Sequence, residues 1–197
     1  MIDTIPIFPL KSVFLFPGTY LPLHIFEPRY RLMMGYCLEN DDEIGITNYV
    51  DSTRIEPVFG WGKIIKRERF PDGKSNIIVK GMGLARIIRF KSQEPFIIAS
   101  VDKKENDFTY LETPEFKEVL EKILDLTTQH FRKMEVEDEF ISDLIKIRTS
   151  EFPLDVIASI LDLDSNYKQD ILLNENPMDK ANLLLFHLNK LLNEKNS

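Results

Sequence analysis

Gly73-Lys74-Ser75 has the residue order that closes a phosphate-binding loop, where backbone N–H groups and a lysine cradle the phosphates of a nucleotide. Such a loop also needs a glycine five residues before its second glycine, and Glu68 occupies that position. Pro71-Asp72 ahead of Gly73 predicts a hairpin turn instead, because Asp-Gly accepts the positive φ angles of a tight turn. Gly60-Trp61-Gly62-Lys63 fails the same test, with Pro57 and Ile64 at the flanking positions.

The other routes to chemistry are as sparse. His24, His130 and His187 are far apart and form no metal-ligand spacing, so each is read as a structural or surface histidine, and no metal or cofactor is expected. The single cysteine, Cys37, cannot form an internal disulfide and lies in an apolar helical pattern that would mute a thiolate. No serine sits in a Gly-x-Ser-x-Gly elbow or beside glycine-rich support for an oxyanion. Carboxylates are paired throughout the second half, where a solvated helix face accounts for them. Two basic clusters remain: Lys63, Lys66, Arg67 and Arg69, then Arg86, Arg89 and Lys91, interleaved with Trp61, Phe70 and Phe90. On neighbouring strands they would merge into one patch for RNA or for an acidic peptide. The competing reading is a solvated outer sheet face with Trp61 in the core, which the acidic total favours.

The elements that must carry these residues fall into two halves. The first is rich in Pro, Gly and β-branched residues, with short apolar runs at Ile5 to Pro9, Val13 to Phe16, Leu21 to Ile25, Ile44 to Val50, Phe59 to Ile65, Ile77 to Val79, Leu84 to Phe90 and Phe96 to Val101. Runs of this length and spacing predict an antiparallel barrel or sandwich. Gly81 and Gly83 are expected to relieve a bend or bulge. One helix interrupts this half: Pro28 to Leu38 carries Tyr30, Met33, Met34, Cys37 and Leu38 at helical spacing, with Pro28 suited to the first turn. It is expected to close one end of the barrel.

Residues 106–112 read as a polar linker. Thr113-Pro114-Glu115 then has the cap, first-turn proline and acid that open a helix, followed by the stripe Phe116, Val119, Leu120, Ile123, Leu124 and Phe131. Further helices are expected from Pro153 to Leu161, after a capping Ser165, and from Asn176-Pro177 onward, where Ala181, Leu184, Leu185, Leu188, Leu191 and Leu192 share a face. The division is therefore 1–105 barrel, 106–112 linker and 113–197 helical bundle, an α+β chain.

Charge divides the same way. Residues 1–105 hold 15 Lys and Arg against 13 Asp and Glu, whereas residues 106–197 hold 10 against 19, within a formal total of −7. An acidic chain is repelled by phosphate backbones, so nucleic acid is an unfavoured partner. No apolar run reaches the ~20 residues of a membrane span. Asp3 stands where a secretory signal would have a basic residue, so a cytoplasmic chain is expected.

Three segments carry a resemblance: Ile5-Pro6-Ile7-Phe8-Pro9-Leu10, Val13-Phe14-Leu15-Phe16-Pro17-Gly18, and Leu21-Pro22-Leu23-His24-Ile25-Phe26-Glu27-Pro28-Arg29-Tyr30. Together they resemble the amino-terminal substrate-binding domain of the Lon protease family, particularly its stand-alone members. Phe59-Gly60-Trp61-Gly62, Pro71-Asp72-Gly73, Lys80-Gly81-Met82-Gly83-Leu84-Ala85-Arg86-Ile87, Ala158-Ser159 and Lys168-Gln169-Asp170-Ile171-Leu172-Leu173 follow the family pattern in order. The resemblance implies a PUA-like β-barrel followed by a helical bundle. It also implies a receptor for unfolded or tagged polypeptides, with the ATPase and Ser-Lys protease modules of full proteases lying beyond Ser197 and outside this chain.

The expected function is therefore non-catalytic polypeptide binding, as an adaptor, a holdase or the partner of a separate protease. RNA binding is the alternative, because PUA-like barrels include RNA binders; a scattered hydrolase site ranks third. The residues expected to meet a polypeptide lie around the start of the first helix: Phe26, Glu27, Arg29 and Arg31, with exposed apolar surface among Phe14, Phe16 and Tyr20. For Glu27 and Arg29, charges in an apolar context, a structural role as a paired charge or a helix cap is the favoured reading over direct ligand contact. Capture in an apolar groove and addition of a strand to a barrel edge both remain open, as does a monomer or a weak dimer.

Overall fold

In the computed structural model most of the short apolar runs of the first half are strands, and the 3.6-residue stripes of the second half are helices. The structure describes residues 2–51 and 54–194. The chain separates into two compact units, Met1–Asn106 and Asp107–Ser197.

The first unit holds strands β1 (Ile2–Leu10), β2 (Tyr20–Ile25), β3 (Glu43–Asn48), β4 (Val58–Arg69), β5 (Ser75–Ser92) and β6 (Ile97–Lys103), with helix α1 (Pro28–Glu39) between β2 and β3. The sheet order is β2-β5-β4-β3-β1-β6, and β6 also pairs with β5. Five strands therefore close into a ring, and β2 lies outside it, bonded among the described residues to β5 alone. The sheet is mixed, not wholly antiparallel as the spacing of runs had suggested: β1 and β3 run parallel, with Ile7 opposite Gly45. The long excursion through β2 and α1 returns the chain to the end where it started, and parallel pairing requires such a crossover.

Two apolar clusters form on the two faces of this sheet. One holds Ile5, Ile7, Phe59, Ala85, Ala99 and Val101. The other gathers Tyr30, Met33, Met34 and Cys37 of α1 with Leu15, Ile44, Ile46, Ile77 and Val79. Fully burying a side chain of this size stabilises by about 1.5–3 kcal/mol, so α1 is anchored by its 3.6-residue stripe. Leu38, which shares the apolar spacing of that stripe, is exposed instead.

The run Val13 to Phe16 is not a strand. Its backbone crosses the sheet where β4 and β5 carry glycine. A Cβ on Gly60 would overlap the Leu15 carbonyl oxygen, and a Cβ on Gly81 would overlap the carbonyl oxygen of Phe16. Gly18 N–H donates to the Gly81 carbonyl (3.0 Å), and Gly81 N–H donates to the Thr19 carbonyl (2.8 Å). The segments 77–79 and 84–90 merge into one long β5. The bend expected near Gly81 and Gly83 is a register shift there, since Trp61 faces Gly83 while Gly62 faces Gly81 and Met82 is left as the extra residue.

The second unit contains α2 (Pro114–Lys133), α3 (Asp138–Leu144), α4 (Pro153–Ile160), α5 (Ser165–Leu173) and α6 (Pro177–Glu194). Thr113 caps α2, its hydroxyl accepting from Phe116 N–H at 3.3 Å. Asn176 caps α6, its Oδ1 accepting from Met178 N–H (2.9 Å) and Asp179 N–H (3.2 Å). Ser165 is the first residue of α5; the cap position belongs to Asp164, whose side chain makes no capping bond. The stretch read as a polar linker contains a short 3-10 helix, Thr109–Glu112, and two aromatic anchors. Phe108 packs edge-on to Phe152 at 5.2 Å, and Tyr110 packs edge-on to Phe116 at 4.7 Å. An ion pair is buried among the helices, with Lys180 Nζ 2.7 Å from Asp155 Oδ1. Burial raises the Asp155 carboxyl above its ordinary value even though Lys180 opposes the shift.

Candidate functional site

The start of α1 is built by the residues expected to form a site, and they divide by role. Pro28 occupies the first helical turn with its fixed φ. Glu27 is the cap residue but makes no capping bond; its carboxylate instead takes Arg29 Nε at 3.0 Å, and the Arg29 guanidinium lies 4.5 Å over the Tyr30 ring. Burial raises the Tyr30 hydroxyl above its ordinary value, with Arg29 opposing. Arg31 serves the fold: Nε donates to the Phe26 carbonyl at 2.8 Å, and Nη1 donates to the Asp72 carbonyl at 3.0 Å. It thereby ties the helix start to the turn between β4 and β5. That turn is the one Pro71-Asp72-Gly73 predicted, with Gly73 at φ 83° and Gly73 N–H donating to the Phe70 carbonyl at 3.0 Å. Hydrogen bonds from Lys74 hold the Asp72 carboxyl below the ordinary range.

The apolar candidates separate more sharply. Tyr20 is 62% exposed and Phe26 55%, whereas Phe16 is 1% exposed and belongs to the core, so Phe16 offers no surface to a partner. Phe14 is half-buried, its ring 6.2 Å from that of Phe16. The reason lies in the glycine floor described above: laid across the sheet, this segment turns Leu15 and Phe16 inward.

β2 alternates exposed and half-buried residues, which sets Tyr20, Pro22 and His24 on one face, with Phe26 next in phase. His24 Nδ1 lies 2.8 Å from Asn76 Oδ1, and its ring stacks on Phe26 at 6.0 Å and tilts toward Phe70 at 6.4 Å. The unpaired edge can be read from the register. Gly81 N–H donates to the Thr19 carbonyl, which therefore faces β5, so by alternation Tyr20, Pro22 and His24 direct their backbone groups away from β5. Pro22 has no N–H to offer there. A proline with its nitrogen toward solvent is a known way of blunting an edge strand.

The basic clusters do not merge. Lys63 faces Lys80, Arg69 faces Ser75 and Arg86 faces Val58, so even the nearest members of the two clusters stand about 20 Å apart along β5 at strand rise. Trp61 is half-buried beneath Lys103, whose Nζ is 4.1 Å from the ring and bonds Glu43 (2.6 Å) and Asp3 (2.9 Å). This ion-pair cluster on Trp61 was not legible from spacing, since its members come from β1, β3, β4 and β6.

Among the described residues no group of three His, Cys, Asp or Glu side chains is placed to hold a metal ion. Cys37 is buried, and burial pushes its thiol up to about 12. His130 and His187 are buried and His24 is exposed. Two hollows in the helical unit, of about 210 and 220 Å³, include Tyr167 and His187 in one and Glu121 and Arg148 in the other. Both fall below the usual size of a small-molecule site. No helix among the described residues is long and apolar enough to cross a membrane.

Comparison with known proteins gives a consistent result. The family model described as the ATP-dependent protease La (LON) substrate-binding domain matches residues 4–190. The Lon protease of Dictyoglomus thermophilum is 26% identical over 202 residues, covering 95% of this chain and 24% of that protein. The Lon protease of Cytophaga hutchinsonii is 23% identical over 196 residues, with the same coverage. The chain thus spans about a quarter of the length of the curated relatives it matches. Among solved structures, the N-terminal domain of Mycobacterium avium complex Lon protease superimposes with a TM-score of 0.77 at 15% identity, over 95% of this chain and 98% of that one. A Lon N-terminal domain protein from Xanthomonas campestris gives 0.67 at 20% identity, over 93% and 97%. The fold is shared with both, and the chain belongs to the Lon substrate-binding domain family.

Proposed function

We propose that this chain is a non-catalytic polypeptide-binding module whose receptor surface is the exposed face of β2 together with the start of α1. One observation carries the reading: Tyr20 and Phe26, 62% and 55% exposed, flank Pro22 and His24 on one face of an edge strand. Capturing an unfolded chain requires accessible aromatic surface, which a folded monomer otherwise hides. Membership of a substrate-binding family supports it. Pro22 favours capture by side chains over addition of a full strand, because the middle donor of the open edge is missing.

In this reading the closed ring is a PUA-like barrel, residues 113–197 form a helical bundle, and the protein acts in the cytoplasm as an adaptor or holdase beside a separate protease. Glu27 and Arg29 line the receptor surface, while Arg31 positions it. The RNA alternative gains nothing from the separated basic clusters.

The test is binding of the purified protein to a permanently unfolded, fluorescently labelled polypeptide, beside a labelled RNA, at low and high salt. Salt-resistant binding of the polypeptide is the expected result, since apolar capture is screened far less than phosphate contacts. Salt-sensitive binding of RNA alone would overturn it.

A further inference from the structure

The receptor face continues from β2 across β5 to β4, and the register shows what it presents. Directly opposed residues share a face. One row across the strands is Tyr20, Lys80, Lys63 and Glu43; the next is Pro22, Ile78 and Lys66; the third is His24, Asn76 and Glu68. Ile65, the extra residue at the β4 register shift, is also exposed.

Two lysines opposed across strands repel each other, and only one of this pair is compensated. Lys63 lies 3.8 Å from Glu43, and Glu43 is already held by Lys103 at 2.6 Å. Among the described residues neither Lys80 nor Lys66 has a carboxylate partner. The one uncommitted acid on this face, Glu68, stands in the third row, beside His24 and Asn76. The first two rows therefore combine Tyr20, Pro22 and Ile78 with two uncompensated ammonium groups.

We infer that this face selects polypeptide segments in which Asp or Glu stands beside aromatic or aliphatic residues. The apolar side chains seat on Tyr20, Pro22 and Ile78, and the carboxylates reach Lys66 and Lys80. The inference rests on the receptor reading above and names the class of segment that receptor takes. Aromatic surface supplies affinity for unfolded chains in general; the lysine pair supplies the preference among them.

The test uses three labelled unfolded peptides of identical apolar content, with Glu, Gln or Lys at the charged positions, measured by fluorescence anisotropy. The expected order is Glu tightest and Lys weakest. Partly exposed ion pairs each add modestly to affinity and are screened by salt, so two lysines should separate Glu from Gln by about three- to tenfold at low salt. The double variant Lys66→Glu/Lys80→Glu, checked for an unchanged melting curve, is expected to reverse the order. Equal binding of all three peptides by the wild-type protein would overturn the inference and leave the receptor reading standing. Failure to bind any of them would overturn both.

Discussion

The carbonyl oxygen of Leu15 occupies the space that any side chain at Gly60 would need. The two residues are far apart in sequence, yet each explains the other: the Val13 to Phe16 segment can lie on the sheet because β4 and β5 present hydrogen in place of methyl. Gly60→Ala is therefore expected to destabilise by about 3 kcal/mol or more, since backbone cannot move aside as a flexible side chain can. Gly35, in α1, has nothing within 4 Å of its added Cβ. Gly35→Ala is expected to stabilise by about 0.5–1 kcal/mol through helix propensity. Urea unfolding of the two variants beside the wild type checks both.

Much of this architecture was legible in the sequence, and what was legible was local. Pro28, Thr113 and Asn176 mark helix starts by chemistry that acts within one turn, and Asp72-Gly73 marks a hairpin in the same way. What escaped depended on residues distant in sequence. Val13 to Phe16 has the composition of a strand, and only its encounter with Gly60 and Gly81 makes it a crossing segment. Phe16 was expected at the surface and is in the core for that reason. Whether the two basic clusters met was open in the sequence, which favoured a solvated sheet face; the β4–β5 register sets Arg69 and Arg86 at opposite ends of that pairing. At the candidate site, Tyr20 and Phe26 were identifiable as accessible apolar residues, whereas the positioning role of Arg31 required the Asp72 carbonyl 41 residues away.

Arg31 and Arg29 should respond differently to removal. Arg31→Ala breaks two hydrogen bonds to backbone carbonyls and frees the turn at Asp72, a loss of about 1–2 kcal/mol. Arg29→Ala removes an exposed pair with Glu27 and is expected to stay within about 0.5 kcal/mol. Thermal melts separate the two outcomes.

Lys180 and Asp155 form a buried pair, with side-chain exposures of 11% and 7%. Lys180→Met alone leaves an uncompensated buried carboxylate and is expected to cost about 3–5 kcal/mol. The double variant Lys180→Met/Asp155→Leu removes both charges and should recover most of that loss. A double-mutant cycle in urea measures the coupling.

Cys37 gives a pH signature. Its thiol is pushed up to about 12 in the folded chain, against about 8.5 when unfolded. The neutral thiol is common to both states below the unfolded value, so stability is unaffected there. Above it only the unfolded state ionises, and stability falls as pH rises toward 12, by up to about 1.4 kcal/mol per pH unit. Native protein at mildly alkaline pH is accordingly expected to resist a thiol reagent that reacts at once after unfolding. Cys37→Ser should abolish the reagent signal and flatten the alkaline loss of stability.

The receptor claim is tested most directly by one comparison: binding of a permanently unfolded polypeptide at high salt to the wild-type protein and to the double variant Tyr20→Ala/Phe26→Ala. Both side chains are more than half exposed, so the variant should keep its melting temperature. Aromatic anchors at the centre of an interface each contribute more than about 1 kcal/mol, so the account predicts a loss of affinity of about thirtyfold or more. Unchanged affinity in a variant with an unchanged melt would contradict it.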